Sequence, residues 1–257
     1  MKTYLTTIFL FISILCFSQT EEIKTYHESG KLKEEYNLID GKKNGIYKEY
    51  DYYGNLIRET NYVNGNPNGL FKRYYSTNGK LIVEYNLIYD KKNKESYKTG
   101  LYKSYWENGK LREEGNYKFD NELPPERYEW DLDSYQIGLW KSYYKNGQLE
   151  SEGNYLNWYN KKFSTYGYIK TRPLKGCKYG YWKYYYENGQ VKSEGKYDPS
   201  FTFSRESDHE YRIGDWKYYY ENGQLEREVY FDESGYDTGL WKYYWENGKL
   251  KEVINHD

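Results

Sequence analysis

The side chains that could do chemistry are few and scattered. The 257 residues include three histidines and two cysteines. A metal or proton-transfer site needs ring nitrogens at short spacing, but His27, His209 and His256 lie far apart in the chain. His209 stands between Asp208 and Glu210, a pattern that a solvated charged loop also explains. The histidines therefore predict no catalytic, metal or cofactor site.

Cys177 and one aspartate pair are the other reactive candidates. Lys175 and Lys178 flank Cys177 and would lower the pKa of its thiol, but no partner base is signalled, which favours a buried or spare cysteine. Asp131 and Asp133 have calcium-loop spacing, yet the glycine and closing glutamate of such a loop are missing. The sequence predicts a protein that is not an enzyme.

Composition and charge narrow the class. Aromatic residues make up 21% of the chain, including 38 tyrosines, and such residues favour β-strands. The 38 lysines and arginines balance 39 acidic residues, so no basic field for nucleic acid is present. A charged fraction of 30% excludes a protein with many membrane spans.

The first 19 residues read as a secretory signal peptide. Lys2 precedes an apolar run from Ile8 to Phe17, which is too short to span a bilayer. A lipid anchor on Cys16 would require a small residue before it, and Leu15 occupies that place. We expect an exported chain in the periplasm, on the cell surface or secreted, with no lipid anchor on Cys16 and no transmembrane segment after cleavage.

Internal repeats fill the predicted mature domain, residues 20–257. The unit GLWKSYYKNGQLESEGNY begins at Gly138, and a half unit begins at His27. The seven full units begin at Gly45, Gly69, Gly100, Gly138, Gly180, Gly214 and Gly239. The turn glycines of the last five units are Gly109, Gly147, Gly189, Gly223 and Gly248. Such fixed spacing predicts one elongated repeat domain.

Each unit reads as a β-hairpin. Asn-Gly between alternating runs predicts a type I′ turn, with positive φ at both Asn146 and Gly147 in the unit at Gly138. A two-residue loop would place Tyr144 opposite Leu149.

The same pairing sets the two faces of the sheet. It puts Trp140 opposite Gly153 and Trp182 opposite Gly195, where each ring would cover the bare glycine backbone. In the last two units Trp216 would lie opposite Val229 and Trp241 opposite Ile254, which fill the same space differently. One face is then aromatic and the other alternates Lys with Glu. We predict an all-β fold: a single-layer antiparallel meander of hairpins, twisted, with little helix.

The motif G-x-[WYF]-K-x-Y-Y-x-N-G-[KQ]-L-x-x-E resembles the bacterial variant of the MORN repeat, seen in proteins labelled YwqK-family antitoxins. The resemblance covers roughly residues 24–256. It implies a stack of β-hairpins that serves as a scaffold, with phospholipid or partner binding in some members. The antitoxin label implies a cognate toxin as partner.

Three long inserts, around residues 116–137, 155–179 and 197–213, join adjacent units and should form one lobe at one edge of the sheet. The alternative is that they extend the sheet and pack their aromatics locally. The candidate interaction residues in this lobe are Trp130, Trp158, Tyr159, Phe163, Phe201, Phe203 and His209.

A tyrosine ladder on the polar face is the second candidate surface. Tyr105, Tyr143, Tyr185 and Tyr219 are four of its members, one in each unit, and exposed rings of this kind can stack on sugars. Cross-strand packing is the structural alternative. We expect an exported, non-enzymatic scaffold that binds a protein or an envelope component. The alternatives are a carbohydrate-binding or cell-wall-binding module, and an antitoxin-like protein that neutralises its partner.

Overall fold

The structure is a computed structural model of the chain. It describes residues 19–119, 134–157, 159–165, 168–174, 176–198 and 211–256. For residues 159–165, 168–174 and 211 it describes the backbone alone.

Sixteen strands form one antiparallel sheet in which nearly every strand pairs with its neighbours in the chain. The strands of the N-terminal half are β1 (Thr20–Tyr26), β2 (Leu32–Ile39), β3 (Lys42–Tyr50), β4 (Leu56–Val63), β5 (Asn66–Tyr74), β6 (Leu81–Asp90), β7 (Glu95–Tyr105) and β8 (Leu111–Phe119). Those that follow are β9 (Ser134–Tyr143), β10 (Leu149–Tyr155), β11 (Tyr159–Thr165), β12 (Tyr168–Leu174), β13 (Lys178–Tyr185), β14 (Val191–Asp198), β15 (Tyr211–Tyr219), β16 (Leu225–Phe231), β17 (Asp237–Tyr244) and β18 (Leu250–Asn255). The predicted all-β meander of hairpins is confirmed, and the described residues contain no helix.

One insert adds a hairpin of its own. Strands β11 and β12 pair only with each other, while β10 pairs directly with β13 in the main sheet. The insert around residues 155–179 therefore leaves the ladder of the main sheet continuous. Around residues 116–137, by contrast, β8 and β9 continue their pairing as far as Phe119 and Ser134.

The N-terminal unit is a complete hairpin. The sequence shows only its second half, but β1 pairs along its length with β2. Residues 20–26 alternate between the two faces as a strand does, but they lack the consensus tryptophan. Ile23 holds the place that Trp140 holds in its unit. Comparison of the units within the sequence missed this strand for that reason.

The predicted turn type is wrong. Gly147 has a φ of +92°, but Asn146 is not among the residues with positive φ. The Gly147 amide donates to the carbonyl of Tyr144 at 2.8 Å, and the Tyr144 amide donates to Gln148 O at 2.9 Å. This is a type I turn followed by a glycine bulge, and it pairs Leu149 with Tyr143 instead of Tyr144.

The asparagine serves this turn through its side chain. Asn146 Oδ1 accepts the amide of Gln148 at 2.8 Å, and its Nδ2 donates to the carbonyl of Glu187 in the next turn at 3.0 Å. Asn108 and Asn188 make the same pair of contacts in their own turns. Because these contacts need no positive φ at asparagine, the Asn-Gly pair supports the wider turn equally well.

The core lies on the aromatic face. Trp140, Trp182 and Trp216 are 4%, 3% and 1% exposed, and each pairs in register with the residue predicted for it. Tyr155 and Tyr197 stand edge-on between these indoles, with ring centroids 5.1–6.3 Å apart. In this single-layer sheet the aromatic rings are buried by contact with the rings of neighbouring strands.

Candidate functional site: the two faces of the hairpin stack

Each core indole lies over a glycine of the preceding unit. A Cβ built on Gly115 would lie 2.2 Å from Trp140 Cδ2, and one built on Gly153 would lie 2.1 Å from Trp182 Cδ2. The register prediction, Trp140 opposite Gly153, is confirmed. The expectation that the ring covers its own hairpin's glycine is wrong, because the ring reaches across to the neighbouring hairpin.

A bulge at each junction produces this reach. Between β10 and β13 the register shifts between Glu152 and Asn154, opposite the start of the Gly180 unit. Gly180 takes a φ of +70° there, in the left-handed region that favours glycine. The Trp182 indole then donates to the carbonyl of Asn154 at 3.1 Å, so ring and hydrogen bond lock one unit to the next.

The last junction shows what happens without the glycine. Val229 occupies the place of the glycine beneath Trp241, and Trp241 is only partly buried. Its indole donates to the carbonyl of Tyr230 at 3.4 Å, whereas Trp216 reaches the Lys196 carbonyl at 3.1 Å. The position with valine beneath the ring thus has a less buried indole and a longer hydrogen bond.

The tyrosines of the ladder on the polar face form hydrogen bonds with other residues of the sheet. The hydroxyls of Tyr143, Tyr185 and Tyr219 each donate to a glutamate of the preceding unit at 2.8–2.9 Å. Tyr105 donates in the same way to Glu84 at 2.9 Å. The rings are half-buried, so the ladder also joins one unit to the next.

The ladder hydroxyls stay protonated at neutral pH. Burial, with the hydrogen bond to Glu152, raises the pKa of Tyr185 to about 12. Burial and a glutamate partner likewise raise the pKa of Tyr105 and of Tyr143 to about 12. The phenols therefore act as neutral donors.

Removing one ladder hydroxyl should give a pH-dependent loss of stability. Burial raises the pKa of Glu194, but hydrogen bonds from Tyr219 and Lys183 lower it by more, so the net shift is downward from 4.5. A depressed carboxyl pKa stabilises the fold above the unfolded value and ceases to do so as pH falls through the folded one. Tyr219→Phe should cost about 1 kcal/mol at pH 7, and less at pH 3.

Urea unfolding followed by circular dichroism at the two pH values measures this difference. Tyr53→Phe is the control, because Tyr53 is 78% exposed on a turn. Equal losses for the two variants at pH 7 would contradict the structural role of the ladder.

An exposed apolar row runs beside the ladder on the polar face. Its members directly follow the first glycine of each unit and are 44% (Leu70) to 59% (Leu240) exposed. The row consists of Ile46, Leu70, Leu101, Leu139, Tyr181 and Leu240. Asp215 interrupts it in the unit at Gly214. We call this set the apolar row; sequence reasoning missed it because each residue alternates with lysine and reads as an ordinary strand position.

A row of cations covers parts of the aromatic face. Lys98 Nζ lies 5.0–5.6 Å from three ring centroids, those of Tyr85, Tyr102 and Tyr117. Lys178 lies in the same way over Trp182, with its Nζ 5.1 Å from the ring centroid. The equivalent residues in two further units are Lys43 and Arg212. A cation two residues before the unit glycine is the sequence signal for this contact.

The predicted insert surface falls mostly outside the described residues. Trp130, Trp158, Phe201, Phe203 and His209 all lie there. Tyr159 and Phe163 belong to β11, for which the backbone alone is described. The structure therefore does not test whether these seven residues form one surface.

Little reactive chemistry is found in the described part of the chain. No group of three or more His, Cys, Asp or Glu residues there could hold a metal ion. Cys177 is partly buried. Across the same ranges, no helix is long and apolar enough to cross a membrane.

The family model for the MORN repeat variant matches six segments of the chain: residues 22–40, 98–119, 136–157, 178–198, 212–233 and 237–257. A search of curated proteins finds no match. Among solved structures, a chain of the "Crystal Structure of TcdB2-TccC3-Cdc42" is 13% identical, with a TM-score of 0.25 over 93% of this chain. The present chain spans 12% of that chain.

The matched segments coincide with hairpins of the sheet. The units at Gly45 and Gly69 lie outside the matched residues, yet they form hairpins in the same stack. Repeats of this kind suggest a scaffold for protein or membrane interaction, and such all-β scaffolds are typically non-enzymatic. The chain thus matches the model of the MORN repeat variant in six hairpins, which stack with two further hairpins into one sheet.

Proposed function

We propose that the chain is an exported, non-enzymatic scaffold that binds a protein partner along its polar face. The observation that carries this proposal is the apolar row. Six of seven consecutive units leave a large apolar side chain exposed at the same position, and the row lies beside the paired lysines and glutamates. Exposed apolar side chains that recur at one position and are bordered by polar residues favour a protein interface.

The rigidity of the stack supports a scaffold. Indoles, ladder hydroxyls and turn asparagines all join one unit to the next, so the row is held at fixed spacing. A preorganised surface loses little conformational entropy when it binds. Export rests on the signal peptide that the sequence predicts at residues 1–19. The resemblance to YwqK-type antitoxins gives a special case, in which the partner is a toxin.

Protein binding is favoured over glycan binding by the ladder itself. Its hydroxyls donate to glutamates within the stack, and its rings are half-buried between neighbours. A sugar would need the free ring faces and polar groups that the stack already uses. Apart from the Tyr181 hydroxyl, the side chains of the apolar row cannot form the hydrogen bonds that recognise a sugar, but they fit apolar side chains of a protein.

The Leu101→Asp/Leu139→Asp double variant tests the proposal. Two carboxylates in adjacent units would have to be desolvated by any partner that covers the row, so capture should fall at least about a hundredfold. Immobilised protein would be exposed to envelope and secreted fractions of the source organism, with retained proteins identified by mass spectrometry. Tyr53→Asp, which alters an exposed turn, should retain the same proteins as wild type.

Two results would contradict the proposal. One is equal retention by the double variant and the wild type. The other is loss of retention after glycosidase treatment of the fractions but not after protease treatment, which would favour the glycan alternative.

A further inference from the structure

A row of paired side chains crosses the aromatic face on the turn side of the core rings. Each unit contributes the residue four positions after its first glycine, together with its cross-strand partner. Successive members in the N-terminal half are Glu34, Glu49, Arg58, Arg73, Val83, Ser104 and Glu113.

Two arginines at this level of the sheet have a neighbouring side chain that compensates their charge. Arg58 forms an ion pair with Glu49, with Nη2 and Oε2 2.9 Å apart. Arg227 lies over the ring of Tyr218, with its Cζ 4.1 Å from the centroid. The fold thus normally gives an arginine at this level a carboxylate or a ring on the adjacent strand.

Arg73 breaks this pattern. It stands opposite Arg58 on one strand and opposite Val83 on the other. Like charges directly opposite each other destabilise a sheet, and valine offers no compensation. Among the described residues Arg73 forms no ion pair, and it is exposed. The guanidinium is therefore available to an outside anion.

A cavity opens beside Arg73 because the next two members of the row are small. Val83 and Ser104 leave a space of about 300 Å³ between Arg73 and Glu113. Lys98 and Arg112 reach the same space. The other lining residues are Phe71, Ile82, Tyr85, Tyr102 and Tyr105.

The aromatic lining also favours an anion. Phe71 and Tyr85 stack at 4.7 Å and 18°, and Tyr85 and Tyr102 at 6.0 Å and 18°. Rings that stack across neighbouring strands of a sheet stand on edge, so their edges point outward. Ring edges carry positive partial charge. Ring edges and three cationic side chains thus share one cavity.

Glu113 is the one carboxylate among the cavity's lining residues. Burial raises its pKa, although Arg112 and Lys98 oppose that shift. One carboxylate leaves a net positive charge beside three cations, and it opposes a doubly charged phosphate more than a singly charged carboxylate. The apolar Phe71 and Val83 also disfavour a strongly hydrated phosphate.

We propose that the cavity between Arg73 and Glu113 binds a carboxylate side chain of an acidic peptide segment. Arginine engages a carboxylate through two parallel hydrogen bonds, and the phenols of Tyr85 and Tyr102 offer neutral donors nearby. The biological partner is that of the proposed function, on which this inference rests. The site adds that the partner carries an acidic segment. It lies on the opposite face from the apolar row, so one partner segment would pass around an edge of the sheet.

Fluorescein-labelled hexaglutamate is the probe, with binding followed by fluorescence anisotropy at low salt. Arg73→Gln should weaken binding about tenfold, the effect of one charge-assisted contact. Lys72→Gln is the matched control, because Lys72 precedes Arg73 on β5, points to the polar face and carries the same charge. It should change binding less than about twofold. Glu113→Gln, which removes the opposing charge, should tighten binding about threefold.

Several outcomes would overturn the assignment. Equal weakening by Arg73→Gln and Lys72→Gln would show diffuse attraction instead of a site, as would unchanged binding in Glu113→Gln. Inorganic phosphate that displaces the probe as well as free glutamate peptide does would show a phosphate site. The natural partner is absent from this assay, so its result is independent of the capture experiment with the apolar row.

Discussion

Trp216→Ala should lower the free energy of unfolding by about 4 kcal/mol. Trp216 is the most buried large side chain, 1% exposed, and lies over Gly195 of the preceding unit. Its removal leaves a cavity that the flanking Tyr197 and Tyr218 cannot fill, and it breaks the hydrogen bond to the Lys196 carbonyl. Urea unfolding followed by far-ultraviolet circular dichroism measures the loss.

Trp241→Ala is the matched control for this prediction. It deletes the same ring from the same position of the next unit, where Val229 replaces the glycine and the indole is only partly buried. We expect a loss of about 1 kcal/mol there, since less apolar area leaves water on folding. Comparable losses at the two positions would show that burial over glycine adds nothing to the coupling of units.

The pattern of apolar and polar positions predicts the architecture well. Alternation fixed which residues share a face, and the pairings of Trp140 with Gly153 and Trp216 with Val229 follow from turn position alone. The turn type was less accessible, because Asn-Gly suits both a type I′ turn and a type I turn with a glycine bulge. The two turns differ by one residue in the length of the loop. The bulge takes up that residue, so the register at Trp140 is the same for both turns.

Contacts between units could not be predicted from one hairpin. Whether Trp182 covers Gly195 or Gly153 depends on the bulge at the junction, and no residue within a hairpin encodes that shift. The cavity beside Arg73 is likewise a property of two successive units, since it needs Val83 of one and Ser104 of the next to be small together. Neighbouring repeats therefore carry information that the consensus unit does not.

Gly195→Ala should destabilise the protein by about 3 kcal/mol, although it adds a single methyl group. The added Cβ would lie 2.3 Å from Trp216 Cδ2, so the indole must move away from the sheet. Gly180→Ala is the control: nothing lies within 4 Å of its Cβ, but its φ of +70° strains alanine, at a cost of about 1 kcal/mol. The indole N–H resonance of Trp216 should shift in Gly195→Ala and stay in place in Gly180→Ala. Two results together would contradict this prediction: a Trp216 resonance that does not move in Gly195→Ala, and a smaller loss of stability in Gly195→Ala than in Gly180→Ala. The packing of the indole against the glycine backbone would then not be what joins the units.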